Sequence, residues 1–149
     1  MQESCTLSFA IEPLSDDERV SSIVPILNGL RLTALVEEFE RMRLYEPVGG
    51  YAGIVPSHFN FGPLDEYFSA TTAASPFADK RWLLGCECGE VGCWPLEARI
   101  VTSEREIVWE GFKQPFRPER DYSSFGPFRF DHDQYRQSVI DLVSAFHVK

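Results

Sequence analysis

The chain has 149 residues, of which 44% are hydrophobic and 25% charged, and its formal net charge at pH 7 is -9. This length suits one domain with a substantial core, and the composition is that of a globular protein. The negative charge argues against nucleic acid and anionic membranes as partners, because both attract clustered lysine and arginine. There is no apolar run of roughly 18 residues and no signal-peptide pattern, so we expect a cytoplasmic protein.

The N-terminal segment predicts one strand. Apolar residues alternate with polar ones from Cys5 to Ile11, which indicates a strand with one buried face. Pro13 is expected to end this strand. Residues 15–18 have the spacing of a helix capping box, but no apolar stripe follows, so we expect one helical turn at most.

A hairpin and a helix are predicted next. The Asn28-Gly29 pair is typical of a tight turn and would join strands at Ile23–Leu27 and Leu30–Leu32. A helix follows over residues 33–44, with Thr33 as its expected cap. Apolar residues recur at helical spacing, and the polar face is assigned to the remaining charged positions, Glu37, Glu38, Glu40 and Arg41.

The second half of the chain predicts a meander. Residues 45–64 look irregular, residues 65–70 form a short helix and residues 71–78 a loop. Three strands joined by short turns are then expected, at residues 81–85, 94–101 and 107–109. A second irregular stretch, residues 113–128, carries Pro115, Pro118 and Pro127.

The best-signalled helix covers residues 131–147. Asp131 is its expected N-cap, Gln134 can reach back to it, and Phe130 and Tyr135 form a hydrophobic staple. Strands and helices are therefore mixed without βαβ alternation. We predict a single α+β domain over residues 1–149, with a mainly antiparallel sheet of about five or six strands, a meander after residue 80 and two principal helices at about 33–44 and 131–147.

Three of the four cysteines lie close together, as C-x-C-x4-C at Cys86, Cys88 and Cys93, with glycines between and beside them. One interpretation is a zinc site, which needs four ligands, so that Cys5, His58 or His132 would be the fourth. A reactive thiol is a second interpretation, although Glu87 and Glu90 disfavour a thiolate. Burial of small sulfur side chains in a strand connection explains the run equally well. Zinc is the one cofactor considered.

A third candidate site lies in the second irregular stretch. Arg117 and Arg120 stand beside aromatic residues, and arginines on a long loop can bind a carboxylate or a phosphate. Together with Tyr122 they would bind a small anion or metabolite over a pocket lined by Trp94 and Trp109. The alternative is an extended segment that wraps the sheet, with the arginines paired to acidic residues.

The cysteine run reads G-C-E-C-G-E-V-G-C-W-P-L from Gly85 to Leu96, and Val108–Phe112 and Phe128–Asp131 follow downstream. With Asn28-Gly29 and Tyr51–Gly53 upstream, the chain resembles a set of small uncharacterised bacterial proteins with a G-C-x-C-G-x-x-G-C-W-P-L signature. The resemblance implies a bacterial, soluble, single-domain protein and implies no activity.

The sequence shows no catalytic constellation, an acidic balance and abundant aromatic residues on two irregular stretches. Our leading hypothesis is a non-enzymatic protein that binds a protein partner of basic charge, by analogy with immunity and antitoxin proteins. The alternatives are a metal or thiol protein centred on the cysteine turn and a small-anion binder.

Overall fold

The structure, a computed structural model, describes residues 4–14, 19–57, 61, 63–69, 80–86 and 95–148. The turn expected at residues 15–18 and the loop at 71–78 lie outside these residues. The elements in chain order are β1 (Leu7–Pro13), β2 (Ser21–Leu27), β3 (Leu30–Arg31), α1 (Leu32–Met42), β4 (Tyr51–Ala52), α2 (Leu64–Ser69), β5 (Lys80–Cys86), β6 (Leu96–Thr102), β7 (Glu106–Lys113), β8 (Phe128–Asp131) and α3 (His132–Val148).

The strands form two antiparallel sheets, of order β1-β2-β3 and β4-β5-β6-β7-β8. The predicted α+β class and the meander after residue 80 are confirmed. The chain has two sheets where the sequence predicted one. The strands β4 and β8 were also missed, because both lie within or beside stretches whose prolines and glycines predicted irregular structure.

The two sheets are joined by two isolated bridges. The backbones of Ile23 and Ile54 exchange hydrogen bonds of 2.8 and 3.1 Å, and the Cys5 N–H donates to the Arg129 carbonyl at 2.6 Å. Gly53 allows the first bridge, because a Cβ at this position would lie 2.1 Å from the Ile23 carbonyl oxygen. Asn28 and Gly29 form the turn between β2 and β3. Their φ angles are 53° and 80°, the positive values that the predicted tight turn requires.

The start of α1 differs from the prediction. Arg31 occupies the N-cap position and makes no side-chain cap, while Thr33 lies inside the helix and is buried. The helix therefore begins without the cap expected from Thr33, and its first turn is held by packing. The buried residues of α1 follow a spacing of three to four and are Leu32, Thr33, Val36 and Glu40.

The start of α3 follows most of the prediction. The Asp131 carboxylate accepts the Gln134 backbone N–H at 3.1 Å, and the Phe130 and Tyr135 rings lie 5.3 Å apart, both fully buried. The Gln134 side chain is a correction. It does not reach back to Asp131 but binds the backbone of Leu7 in β1.

One hydrophobic cluster takes side chains from both sheets and all three helices. Trp109, Phe130 and Tyr135 pack at its α3 side, and Phe9 contacts Phe68 of α2 with ring centroids 4.8 Å apart. Across the described part of the chain, no helix combines the length and the apolar character needed to cross a bilayer.

Candidate functional site

The cysteine turn begins at the end of β5. Cys86 is the last residue of this strand, is buried, and pairs with Tyr51 of β4. Cys88, Cys93 and His58 lie outside the described residues. The zinc site and the reactive thiol therefore stay predictions, which the metal content and thiol reactivity of protein purified without chelator would test.

The other two proposed zinc ligands lie elsewhere in the fold. Cys5 bridges to Phe130 of β8, and His132 begins α3 directly after β8, whereas Cys86 ends β5. β5 and β8 are three strand positions apart, or roughly 14 Å along the sheet. Within the described ranges, no group of three or more His, Cys, Asp or Glu side chains could hold a metal ion. Burial raises the pKa of the Cys5 thiol, which makes it a poor nucleophile.

The structure contains a buried polar cluster around Glu40 of α1. Glu40 is 0% exposed, and its Oε2 accepts hydrogen bonds from the hydroxyls of Tyr51 and Tyr122, each at 2.5 Å. Arg120 Nη1 lies 3.3 Å from the same oxygen, and the Gly49 N–H donates to Oε1 at 2.8 Å. We call these five residues the Glu40 cluster.

Arg120 ties the cluster to the loop before β4. Its Nη2 donates to the Pro47 carbonyl at 2.9 Å, and its guanidinium lies 5.1 Å from the centroid of the Tyr45 ring. Gln114 adds a hydrogen bond from its amide nitrogen to the Tyr51 hydroxyl. The cluster thus joins α1 to residues 45–50 and 114–122, which lie within the two irregular stretches. The side chains that make these contacts are far apart in sequence.

The pKa shifts within the Glu40 cluster keep Arg120 charged and keep the hydroxyls of Tyr51 and Tyr122 protonated. Burial lowers the pKa of Arg120, but the Tyr122 hydroxyl and the Glu40 carboxylate outweigh this and the net shift is upward. Burial and then Glu40 raise the pKa of Tyr51, and burial above all raises the pKa of Tyr122 to about 12. Both phenols therefore stay protonated at neutral pH and donate to the carboxylate.

The structure brings together only some of the residues of the proposed anion site. Arg120 and Tyr122 are brought together, but their polar groups bind Glu40. Trp109 is fully buried, and its Nε1 donates to the Tyr135 hydroxyl at 3.1 Å. The backbone of Arg117 forms a turn with Gln114, and Trp94 lies outside the described residues. The anion site stays a prediction, and each of its four described residues has a partner within the chain.

An open groove lies between β1 and α3. Its volume is about 420 Å³, and we call it the β1 groove. Its walls are the side chains of Phe9 and Ile11 in β1 and one face of α3 that presents Gln134, Ser138, Asp141 and Ala145. Phe9 and Ile11 are only partly buried although they lie on the core face of their strand.

The β1 groove narrows at Gln134. The Leu7 backbone N–H donates to Gln134 Oε1 at 2.9 Å, and Gln134 Nε2 donates to the Leu7 carbonyl at 2.7 Å. The amide thus binds the edge of β1 as a neighbouring strand would. Beyond Gln134 the groove is walled by apolar side chains and small polar groups, and Asp141 is the one charged residue among the described residues that line it.

Sequence patterns missed both features for different reasons. Glu40 was assigned to the polar face of its helix, but it follows Leu32 and Val36 at a spacing of four, which places it on the buried stripe. That spacing is a signal that could have found it. The β1 groove has no such signal, because the period-two pattern of β1 predicts a strand and not its position at the sheet edge.

No protein-family model, curated protein or solved structure matches this chain.

Proposed function

We propose that this chain is a non-enzymatic, cytoplasmic bacterial protein that binds a protein partner of basic charge, and that the β1 groove is the binding surface. The single observation that carries the proposal is the groove itself, which leaves the apolar side chains of Phe9 and Ile11 accessible beside Asp141. Apolar walls with few polar groups are typical of binding sites.

The charge of the chain supports a basic partner. The net charge is -9, and the residues described around the groove include no lysine or arginine. A negative surface raises the rate of encounter with a positive partner and repels a negative one. Glu40 offers no accessible carboxylate for catalysis, since the residue is 0% exposed and both of its oxygens accept hydrogen bonds.

Site-specific photocrosslinking tests the proposal. A benzoylphenylalanine at Ala145, which is exposed and lines the groove, should crosslink to a basic protein in native lysate. The matched control is the same crosslinker at Val101, a 41% exposed residue of β6. Equal yields at the two positions, or no product at Ala145, would contradict the assignment of the groove.

A charge variant tests the basic character of the partner. Asp141→Lys should lower the crosslinking yield at Ala145, and so should raising the salt to about 0.5 M, because exposed charges are then screened. Glu38→Lys is the control, since Glu38 is exposed on α1 and away from the groove. A captured partner with a net negative charge would disprove the charge argument.

A further inference from the structure

The backbone of β1 faces two neighbours in alternation. The Thr6 carbonyl accepts the Asn28 N–H on the β2 side, and Leu7 turns its N–H and C=O to Gln134 on the opposite side. In an antiparallel pair, every second residue directs its backbone groups away from the partner strand. The backbone N–H and C=O groups of Phe9 and Ile11 therefore point in the same direction as those of Leu7, toward the β1 groove.

The outer edge of β1 is paired at one end only. The Cys5 N–H donates to the Arg129 carbonyl of β8, and Leu7 binds Gln134 of α3. Among the described residues, none donates to or accepts from the outward backbone groups of Phe9 and Ile11. β8 ends at Asp131, where α3 begins and continues beside β1, with the groove between them.

We infer that the partner binds this edge by strand addition: an extended basic segment lies beside β1 in the groove and pairs with the N–H and C=O groups of Phe9 and Ile11. The inference rests on the proposed function and specifies its partner segment. Strand addition draws affinity from main-chain hydrogen bonds and specificity from alternate side chains. The added strand would lie in the groove between β1 and α3, beyond the Leu7 position that Gln134 pairs.

The geometry also limits the segment. Pro13 offers no N–H at the next outward position, so pairing is confined to a few residues around Phe9 and Ile11. Side chains of paired residues lie on the same face, so every second residue of the segment must be apolar to contact Phe9 and Ile11. The intervening residues are basic, to suit the acidic chain.

Charge argues against a second copy as the occupant. Two chains of net charge -9 repel each other, and pairing of two β1 edges would bring two such surfaces together. Exposed strand edges commonly pair with one another, and inward or flanking charge is a means of preventing it. A basic segment meets no such penalty.

Two variants of one residue separate backbone pairing from side-chain packing. Ile11→Pro removes an outward N–H and leaves the hydrogen bonds between β1 and β2 in place, since proline is tolerated at the open side of an edge strand. Ile11→Ala keeps the N–H and removes most of the same side chain. Thermal unfolding should show that both variants fold.

The probe is the peptide acetyl-Lys-Val-Lys-Val-Lys-Val-Lys-amide, and the readout is amide exchange of the full chain by NMR. The peptide should slow exchange at Phe9 and Ile11, and Ile11→Pro should bind it more weakly than Ile11→Ala by about three- to tenfold, the loss expected for one hydrogen bond. A matched Glu-Val peptide should bind more weakly than the Lys-Val peptide.

Three results would overturn the inference. They are peptide binding without protection of Phe9 and Ile11, equal affinity of Ile11→Pro and Ile11→Ala, and protection of these amides in a dimer of the chain alone. The crosslinking experiment keeps the proposed function separate. If Ile11→Pro still captures the native partner as well as wild type, strand addition fails and the binding function stands; if wild type captures none, the function fails.

Discussion

The Glu40 cluster and the β1 groove both contain hydrogen-bond donors and acceptors beside apolar side chains. In the cluster these polar groups are buried and paired, whereas in the groove some of them are accessible and unpaired within the described part of the chain. In the cluster, one carboxylate binds Tyr51, Tyr122, Arg120 and the Gly49 N–H, and no part of it meets solvent. In the groove, Gln134 binds the backbone of Leu7, and among the described residues none binds the outward backbone groups of Phe9 and Ile11. A cluster of polar groups therefore indicates a binding site only where those groups are accessible.

The energetics of the two regions differ accordingly. Buried ion pairs add little net stability over apolar packing, but removal of one partner leaves an uncompensated charge and is costly. The outward groups of an edge strand are hydrated in the isolated chain, and they cost little until a partner replaces the water. The cluster therefore holds the fold, and the groove is available for binding.

The largest expected effect comes from Glu40→Gln. It leaves the Arg120 guanidinium buried without its carboxylate and should lower the free energy of unfolding by about 3–5 kcal/mol in urea denaturation. Glu38→Gln on the same helix is the control, because Glu38 is 61% exposed and a surface change of this kind stays within about 0.5 kcal/mol. Equal effects of the two variants would remove the structural role of the cluster and reopen Glu40 as a functional residue.

Tyr122→Phe should have a smaller effect that depends on pH. It removes one hydrogen bond to a charged group and should cost about 1.5–3 kcal/mol near pH 7. The pKa of Tyr122 is raised from 10.0 to about 12 in the folded chain, so between these values the folded state binds more protons than the unfolded state. The contribution is therefore complete below pH 10 and is lost as the pH rises toward 12.

Denaturation of wild type and Tyr122→Phe across this alkaline range measures the effect. The free energy of unfolding should fall less steeply with pH in the variant than in wild type, because one of the raised tyrosines is gone. Tyr45→Phe is the matched control, since the Tyr45 hydroxyl binds the Asp121 backbone and does not contact Glu40. A parallel decline in wild type and Tyr122→Phe would show that Tyr122 is not held as the geometry indicates.

Gln134→Ala should lower the free energy of unfolding less than the two variants of the Glu40 cluster, and it tests the β1 groove directly. It removes both hydrogen bonds to the Leu7 backbone, extends the unpaired edge of β1 by one position and should cost about 1–2 kcal/mol. The Leu7 amide should exchange faster. Gln137→Ala is the control on the same helix, because Gln137 binds the exposed Asp141. Unchanged protection of Leu7 would mean that Gln134 does not cover the edge.

Local patterns in the sequence predicted the elements that depend on near neighbours. Alternation predicted β1, the Asn28-Gly29 pair predicted the hairpin, and Asp131 with Phe130 and Tyr135 predicted the start of α3, because each interaction spans only a few residues. From these the α+β class followed. The cap at Thr33 was wrong because Arg31 begins the helix and packing replaced a side-chain cap.

Tertiary structure alone decided the sites. Arg120 lies 80 residues from Glu40 and Gln134 lies 127 residues from Leu7, and no periodic pattern encodes contacts at such separations. Whether β1 is an edge depends on where β8 ends, and whether Glu40 is buried depends on two irregular stretches that close over α1. Local sequence patterns predicted most of the strands and helices but not β4 and β8, and the packing of distant segments determined which polar groups are buried and which are exposed.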